Sequence, residues 1–232
     1  MPDYLFPPPA VKALAVLGEA ALYPVHRVFC VGRNYAAHAA EMGQVVDREK
    51  PFYFLKGHHA VEFSGARVPY APGTSDYHFE MELVLALSAP AFRADAASAA
   101  AAIGYYGCGL DMTRRDLQIA ERKMQRPWDI GKDVERSAIL APLTPAARFG
   151  VPGPQAIRLT QNGILRQDAT LAEMVWSPAE IVAHLSQFYH LGPGDLILTG
   201  TPAGVGPVVP GDVLCGTIEG LAPVELGIAP AE

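Results

Sequence analysis

The sequence predicts an α+β protein that is mostly β. Three observations carry this. Apolar residues recur at every second position in several short segments, the period of a strand whose side chains alternate between two faces. Gly 22 and Pro 21 in 232 residues punctuate the chain too often for a helical bundle. Segments with a helical pattern are few and short. Residues 1–25 read as an extended arm, because Pro7-Pro8-Pro9 is stiff and cannot be helical. Residues 26–232 read as one domain, since no Ser-rich or charged linker and no internal repeat divides them.

Composition excludes several classes. A net charge of −6 argues against a nucleic-acid surface, though not against a small anionic substrate held by a local basic patch. Cys30, Cys108 and Cys215 each lie in an apolar, strand-like run without the close spacing of a zinc site, and read as buried, reduced thiols in a reducing compartment. The start has neither a basic n-region nor an apolar h-region, and no apolar run is long enough to span a bilayer. A soluble, cytoplasmic protein that avoids membranes is the expectation.

Taken in order, Val28-Phe29-Cys30-Val31 is a buried strand, and Gly32-Arg33-Asn34-Tyr35 turns the chain. Residues 36–42 form a short helix that stops at Gly43. On it His38 and Glu41 are three apart and share a face. A carboxylate beside an imidazole fixes its tautomer and raises its basicity, as a general base requires, but a solvated surface pair has the same spacing. Pro51-Phe-Tyr-Phe-Leu-Lys56 is a strand ending in a cation, read as a solvated strand end with a ligand-facing lysine as the alternative. His58 and His59 point apart on an extended chain and read as loop residues rather than a metal site.

The stretch His78-Phe-Glu80-Met-Glu82-Leu-Val-Leu-Ala-Leu87 is a strand with Met81, Leu83, Leu85 and Leu87 on one face. Glu80 and Glu82 share the other face with Val84 and Ala86. Two like charges on a strand apolar on both sides repel and are costly to desolvate, so a hard divalent cation with oxygen ligands fits between them. An edge strand with its glutamates in water is the alternative. A helical segment over 94–102 precedes a Gly-interrupted strand, Ile103 to Leu110, which delivers Asp111 at its end. Asp111 is placed to complete the oxygen site, or to serve as an N-terminal helix charge. Thr113-Arg-Arg-Asp116 reads as a capping box opening a helix that presents Arg115 and Gln118 on one face and ends before Pro127. Residues 130–133, with Lys132, read as a loop.

The remainder is β-rich. Asn162-Gly163 joins two alternating runs as a hairpin, and Ser177-Pro178-Ala-Glu180 opens a helix to about Tyr189 by a capping box with Pro at its first position. Leu196–Thr199 is a strand leading into the loop Gly200-Thr-Pro-Ala-Gly-Val-Gly206. That loop is not a P-loop, but its amides and the Thr201 hydroxyl suit an anion. A strand pair over 211–220 closes the chain.

Together these motifs resemble the fumarylacetoacetate hydrolase family. The resemblance rests on Gly32-Arg-Asn-Tyr-x-x-His38-x-x-Glu41, Glu80-x-Glu82-Leu, Leu110-Asp111-x-x-x-Arg115-Asp-x-Gln118, Gly131-Lys132, Thr199-Gly-Thr201-Pro-Ala-Gly-Val-Gly and Ile218-Glu-Gly-Leu, in register from about Val28 to Gly227. The arm Leu5-Phe-Pro-Pro-Pro and the run from Val31 to Met42 look most like members that act on fumarylpyruvate. The resemblance implies a mixed β-roll with a barrel-like sheet and few helices, in a homodimer. It implies Mg²⁺, or Mn²⁺ or Ca²⁺, on Glu80, Glu82 and Asp111, and a His38–Glu41 dyad. It makes Arg115, Gln118 and Lys132 oxyanion donors, and puts Arg33, Tyr35 and Thr201 near the substrate carboxylate. Two departures stand out. Gly57-His58-His59 replaces the usual Pro and small residues, and Asp133-Val-Glu135 replaces Ser-Phe-Asp.

The implied reaction is hydrolysis of a C–C bond in an acylpyruvate, fumarylpyruvate foremost, as in aromatic catabolism. Decarboxylation or keto–enol isomerisation of oxaloacetate on the same metal site is the alternative, and a non-catalytic ligand-binding member the second.

Overall fold

The computed structural model describes residues 3–43 and 48–232. Its frame is a mixed sheet in the order Phe52–Lys56, Arg27–Gly32, Asp195–Leu198, Met81–Leu87, Ile103–Asp111, Ala138–Leu140, Val61–Phe63. Arg27–Gly32 runs parallel to Asp195–Leu198, and Ala138–Leu140 parallel to Val61–Phe63; the remaining pairs along this order are antiparallel. A second sheet of five strands, Ile164–Thr170, Ala156–Gln161, Val213–Ile218, Val224–Ala229 and Ala66–Pro69, packs against it. The strands form the curled half-barrel of a mostly β fold, as the sequence predicts.

The Met81–Leu87 strand is buried along its whole length, and its alternation separates two cores. Met81, Leu83, Leu85 and Leu87 face the second sheet and the helix Pro178–Leu185, through Ile157, Leu159, Ile181 and Leu214. Val84 and Ala86 face the opposite way, onto Leu14, Val16, Tyr23 and Val25. The first 25 residues are therefore not an extended arm throughout. Ala13–Ala15 and Leu22–Pro24 pair as a small antiparallel hairpin, because Leu14 and Tyr23 gain more by covering the sheet than by remaining extended in water. Leu5 and Phe6, next to the proline run, stay exposed; Met1 and Pro2 lie outside the described residues.

Other expectations are corrected locally. The strand read over 78–87 is interrupted at Glu80. Tyr77–Phe79 joins a small sheet with Thr113–Arg114 and Gly206–Pro207, and the main sheet resumes at Met81. The helix after Asp111 starts at Arg115, as Arg115–Lys123, without a capping box. Thr113 is held in the small sheet and Asp116 instead accepts hydrogen bonds from Thr74 Oγ1 and Ser75 N. Residues 129–132 form one helical turn, not a loop. The capping box at Ser177–Glu180 does form, and its helix ends at Leu185. Asn162 and Gly163 both have positive φ (54° and 78°), as a two-residue hairpin turn requires. Among the described residues no helix is long and apolar enough to cross a membrane.

Candidate active site

Glu80, Glu82 and Asp111 converge for a reason of strand geometry. Glu82 lies two residues beyond Glu80, so their side chains share a face. The register Met81↔Leu110 and Glu82↔Gly109 sets Asp111 directly across from Glu80, and Asp111 N donates to Glu80 O at 2.9 Å. Opposed residues on antiparallel strands present their side chains to the same face. Opposite Glu82 stands Gly109, where a Cβ would lie 2.7 Å from Val84 Cγ2, so glycine here leaves room for the Val84 side chain. Carboxylate oxygens of the three acids all lie within 4.8 Å of one another, and the residues are 5%, 1% and 0% exposed.

Three cations surround them. Lys132 Nζ donates to Glu80 Oε2, Asp111 Oδ2 and Thr113 Oγ1, each at 2.7 Å. Arg115 donates through Nη2 to Glu80 Oε1 and through Nη1 to Gln118 Oε1, the latter at 2.5 Å. Gln118 spends its amide oxygen on Arg115, which leaves its NH₂ as the donor. Lys56, read from sequence as a solvated strand end, is 2% exposed. Its ammonium lies 2.9 Å from Asp111 Oδ1 but donates to Met112 O, Lys132 O and Ser137 Oγ. Those three acceptors use its three protons. Asp111 Oδ1 is consequently buried with a charge nearby and no hydrogen bond.

The electrostatics divide the two glutamates. Burial works against the charge of Glu80, but Lys132 and Arg115 outweigh it and hold its pKa well below the carboxylate range. Glu82 is pushed well above that range by burial and by the charges of Asp111 and Glu80; it accepts a hydrogen bond from Gly200 N at 2.7 Å. A crowded carboxylate, an unbonded Asp111 oxygen and a third acid within reach form an all-oxygen donor set, which suits a hard divalent cation. Burial also opposes the charge of Lys132, yet Asp111 and Glu80 raise its pKa overall.

His38 and Glu41 touch across one helical turn, Nδ1 to Oε2 at 3.3 Å. Glu41 is itself held from the Gly-rich loop by Gly204 N, at 3.3 and 3.2 Å to its two oxygens. His38 is 8% exposed, and burial holds its pKa below the ordinary 6.5, against the pull of Glu80 and Glu41. His38, Glu80, Glu82, Arg115, Gln118 and Lys132 all line one cleft with Arg33 and Thr201. Thr201 Oγ1 accepts from Gln167 Nε2 at 2.8 Å. Tyr35 is not brought to this cleft. It borders a neighbouring cavity with Glu173 and Ala203; its hydroxyl is buried without a hydrogen-bond partner, and burial and the charge of Glu82 push its pKa up.

A match to the family model "Fumarylacetoacetate (FAA) hydrolase C-terminal" covers residues 27–229. The chain belongs to the fumarylacetoacetate hydrolase family. It is 48% identical over 194 residues to a fumarylpyruvate hydrolase of a Ralstonia species, spanning 82% of this chain and 100% of the relative. An oxaloacetate tautomerase of Escherichia coli is 40% identical over 202 residues, 85% of this chain and 90% of that one. Among solved structures, fumarylpyruvate hydrolase from Pseudomonas aeruginosa in complex with Mn²⁺ and pyruvate superposes with a TM-score of 0.94 at 44% identity, covering 98% of this chain and 100% of that one.

The two departures from the family pattern face each other rather than the cleft. Gly57 N donates to Asp133 Oδ1 at 2.6 Å, and His59 Nε2 lies 3.3 Å from the same oxygen. Two basic residues have places at the site that the sequence analysis did not assign, Lys56 beside Asp111 and Arg122 on the cleft wall. Lys56 shares a strand face with Phe54 and Phe52, a register that hints at burial. Arg122 lines the cleft one turn beyond Gln118 and two beyond Arg115, a spacing that marks the same helix face.

Proposed function

We propose that this protein is a divalent-metal-dependent acylpyruvate hydrolase, cleaving fumarylpyruvate to fumarate and pyruvate. The observation that carries the reading is the cleft that joins a histidine held by a glutamate to Glu80 and Glu82, two of three buried, mutually adjacent carboxylates. Within the site the charges of Glu80 and Asp111 are answered by Lys56, Lys132 and Arg115. Glu80, Glu82 and Asp111 would hold a divalent ion, Mg²⁺ or Mn²⁺, which would supply positive charge to bind and polarise the 2-oxo acid end of the substrate.

The residues perform the rest. With Nδ1–H directed to Glu41, His38 keeps Nε2 as its basic nitrogen. His38 takes a proton from water, and the hydroxide adds to the acyl carbonyl remote from the 2-oxo acid. Arg115 and the free NH₂ of Gln118 donate to the oxyanion that forms, a contribution of roughly 2.7–4 kcal/mol per well-placed donor, while Lys132, whose three protons are held by Glu80, Asp111 and Thr113, stabilises it through its charge. The C–C bond breaks as the oxyanion collapses: the hydroxyl stays with the acyl carbon, and the proton on His38 passes to the departing pyruvate carbon. Arg33 and Thr201 bind substrate oxygens from the cleft wall, and Tyr35 supports the site from behind it.

The homodimer, the cytoplasmic location and a place in the breakdown of aromatic compounds belong to the same reading; three free cysteines support a reducing compartment. A second reading is favoured by the oxaloacetate tautomerase relatives: the same base can move a proton between carbon and oxygen of oxaloacetate. Assaying fumarylpyruvate, acetylpyruvate and oxaloacetate side by side, with Mg²⁺ and with EDTA, separates them. Metal-dependent release of pyruvate from fumarylpyruvate is the expected outcome. Exchange of oxaloacetate tautomers without any C–C cleavage replaces hydrolase by tautomerase.

A further inference from the structure

Of the Lys and Arg side chains that line the cleft, Arg33 and Arg122 are the two that touch none of the three acids among the described residues. Arg115, Gln118 and Arg122 stand at i, i+3 and i+7 of the Arg115–Lys123 helix and line the same cleft. Arg115 and Gln118 are buried and committed to Glu80 and to each other. Arg122 is half-buried and has no carboxylate partner among the described residues. The Arg33 guanidinium is likewise unpaired there, but it is not loose. It lies 5.2 Å from the Phe52 ring centre and 5.7 Å from that of Trp128, and its φ of 59° is unusual for a residue with a side chain. Burial, and then the charge of Arg122, lower the pKa of Arg33.

Two guanidiniums that repel each other across one cleft are stabilised together by an anion. Each presents a planar fork that matches a carboxylate. From this pair we propose that Arg122, with Arg33, binds the second carboxylate of the substrate, at the acyl end, and so makes the site selective for acylpyruvates that carry one. The proposal rests on the hydrolase reading for its reaction, but the binding claim stands apart from turnover. Position supports it. Lys56, Lys132 and Arg115 are engaged with Asp111 and Glu80, whereas Arg33 and Arg122 line the same cleft without a carboxylate partner among the described residues.

The test compares wild type, Arg122→Gln and Arg122→Lys with fumarylpyruvate, whose acyl group ends in a carboxylate, and acetylpyruvate, whose acyl group does not. In Arg122→Gln the ratio of kcat/KM for fumarylpyruvate over acetylpyruvate falls at least about tenfold, the scale of one charge-assisted hydrogen bond. The loss is in KM for fumarylpyruvate, with kcat within a few-fold, because the contact is made equally in ground and transition states. Lysine restores part of the ratio. A merely structural role lowers both substrates alike and leaves the ratio unchanged, which overturns the proposal. Calorimetric titration of the Mn²⁺-loaded protein with fumarate and with crotonate, its monocarboxylate counterpart, reads the same contact without catalysis. Fumarate affinity that drops in Arg122→Gln while crotonate affinity holds supports the site, even if wild type cleaves neither acylpyruvate and the hydrolase reading has failed. Equal affinity of wild type and variant for fumarate sinks it.

Discussion

Lys56 Nζ and Asp111 Oδ1 lie 2.9 Å apart with both side chains fully buried, yet all three lysine protons go elsewhere. The lysine thus neutralises the aspartate without occupying its lone pair, and leaves that oxygen electrostatically supported and chemically free. Removing one member of a buried pair typically costs about 3–5 kcal/mol. Lys56→Met should therefore lower the melting temperature of the metal-free protein. Because the acids lose a compensating charge, Mn²⁺ should raise the melting temperature of the variant by more than it raises that of wild type. Thermal melts with Mn²⁺ and with EDTA check both; an equal metal-induced shift would mean that Lys56 does not act on the carboxylate cluster.

Glu82→Gln tests the cation site with little structural disturbance. The amide keeps an acceptor for Gly200 N, and the glutamate it replaces is already held toward its neutral form by burial and by Asp111 and Glu80. Stability without metal should stay within about 1 kcal/mol of wild type. Mn²⁺ affinity by titration should fall by more than the roughly 10–100-fold seen when an outer partner of a metal ligand is lost. Retained affinity would remove Glu82 from the ligand set.

His38→Ala should reduce turnover by about 10²–10⁴-fold, the usual contribution of a positioned base, while Mn²⁺ and pyruvate still bind by calorimetry. The pH profile follows from the same residue. A base works when unprotonated, and burial lowers the pKa of His38. Activity should accordingly fall toward acid with a midpoint below 6.5 and be flat above it. A midpoint well above that value contradicts burial as the dominant influence.

Gly204→Ala probes the clamp on Glu41. An added Cβ would meet Arg166 O at 2.1 Å, and φ is +93°. The loop must move, and Gly204 N with it, so Glu41 loses the donor that orients it. Turnover should drop while Mn²⁺ affinity is preserved, since the three acids lie on other elements. Loss of metal binding in this variant would show that the loop disturbs Glu82 through Gly200 instead.

Much of this arrangement is local and therefore legible from residue order. Period-two alternation set Glu80 and Glu82 on one face, helical spacing joined His38 to Glu41 and Arg115 to Gln118, and turn chemistry placed the Asn162-Gly163 hairpin. The capping box at Thr113 failed for a tertiary reason: pairing with His78 claimed that residue for a sheet. Residues 13–24 form a hairpin and not an extended arm because Leu14 and Tyr23 are covered by a sheet face remote in sequence, which residue order does not announce.

Order along the chain determined the acids, the dyad and the strands that carry them. Tertiary structure alone decided which cations answer those acids. Lys56 is buried because Met112, Lys132 and Ser137, remote in sequence, supply the three acceptors that its desolvated ammonium requires. Strand register is a property of one segment and its immediate partner, whereas burial of a charge depends on every element that closes around it.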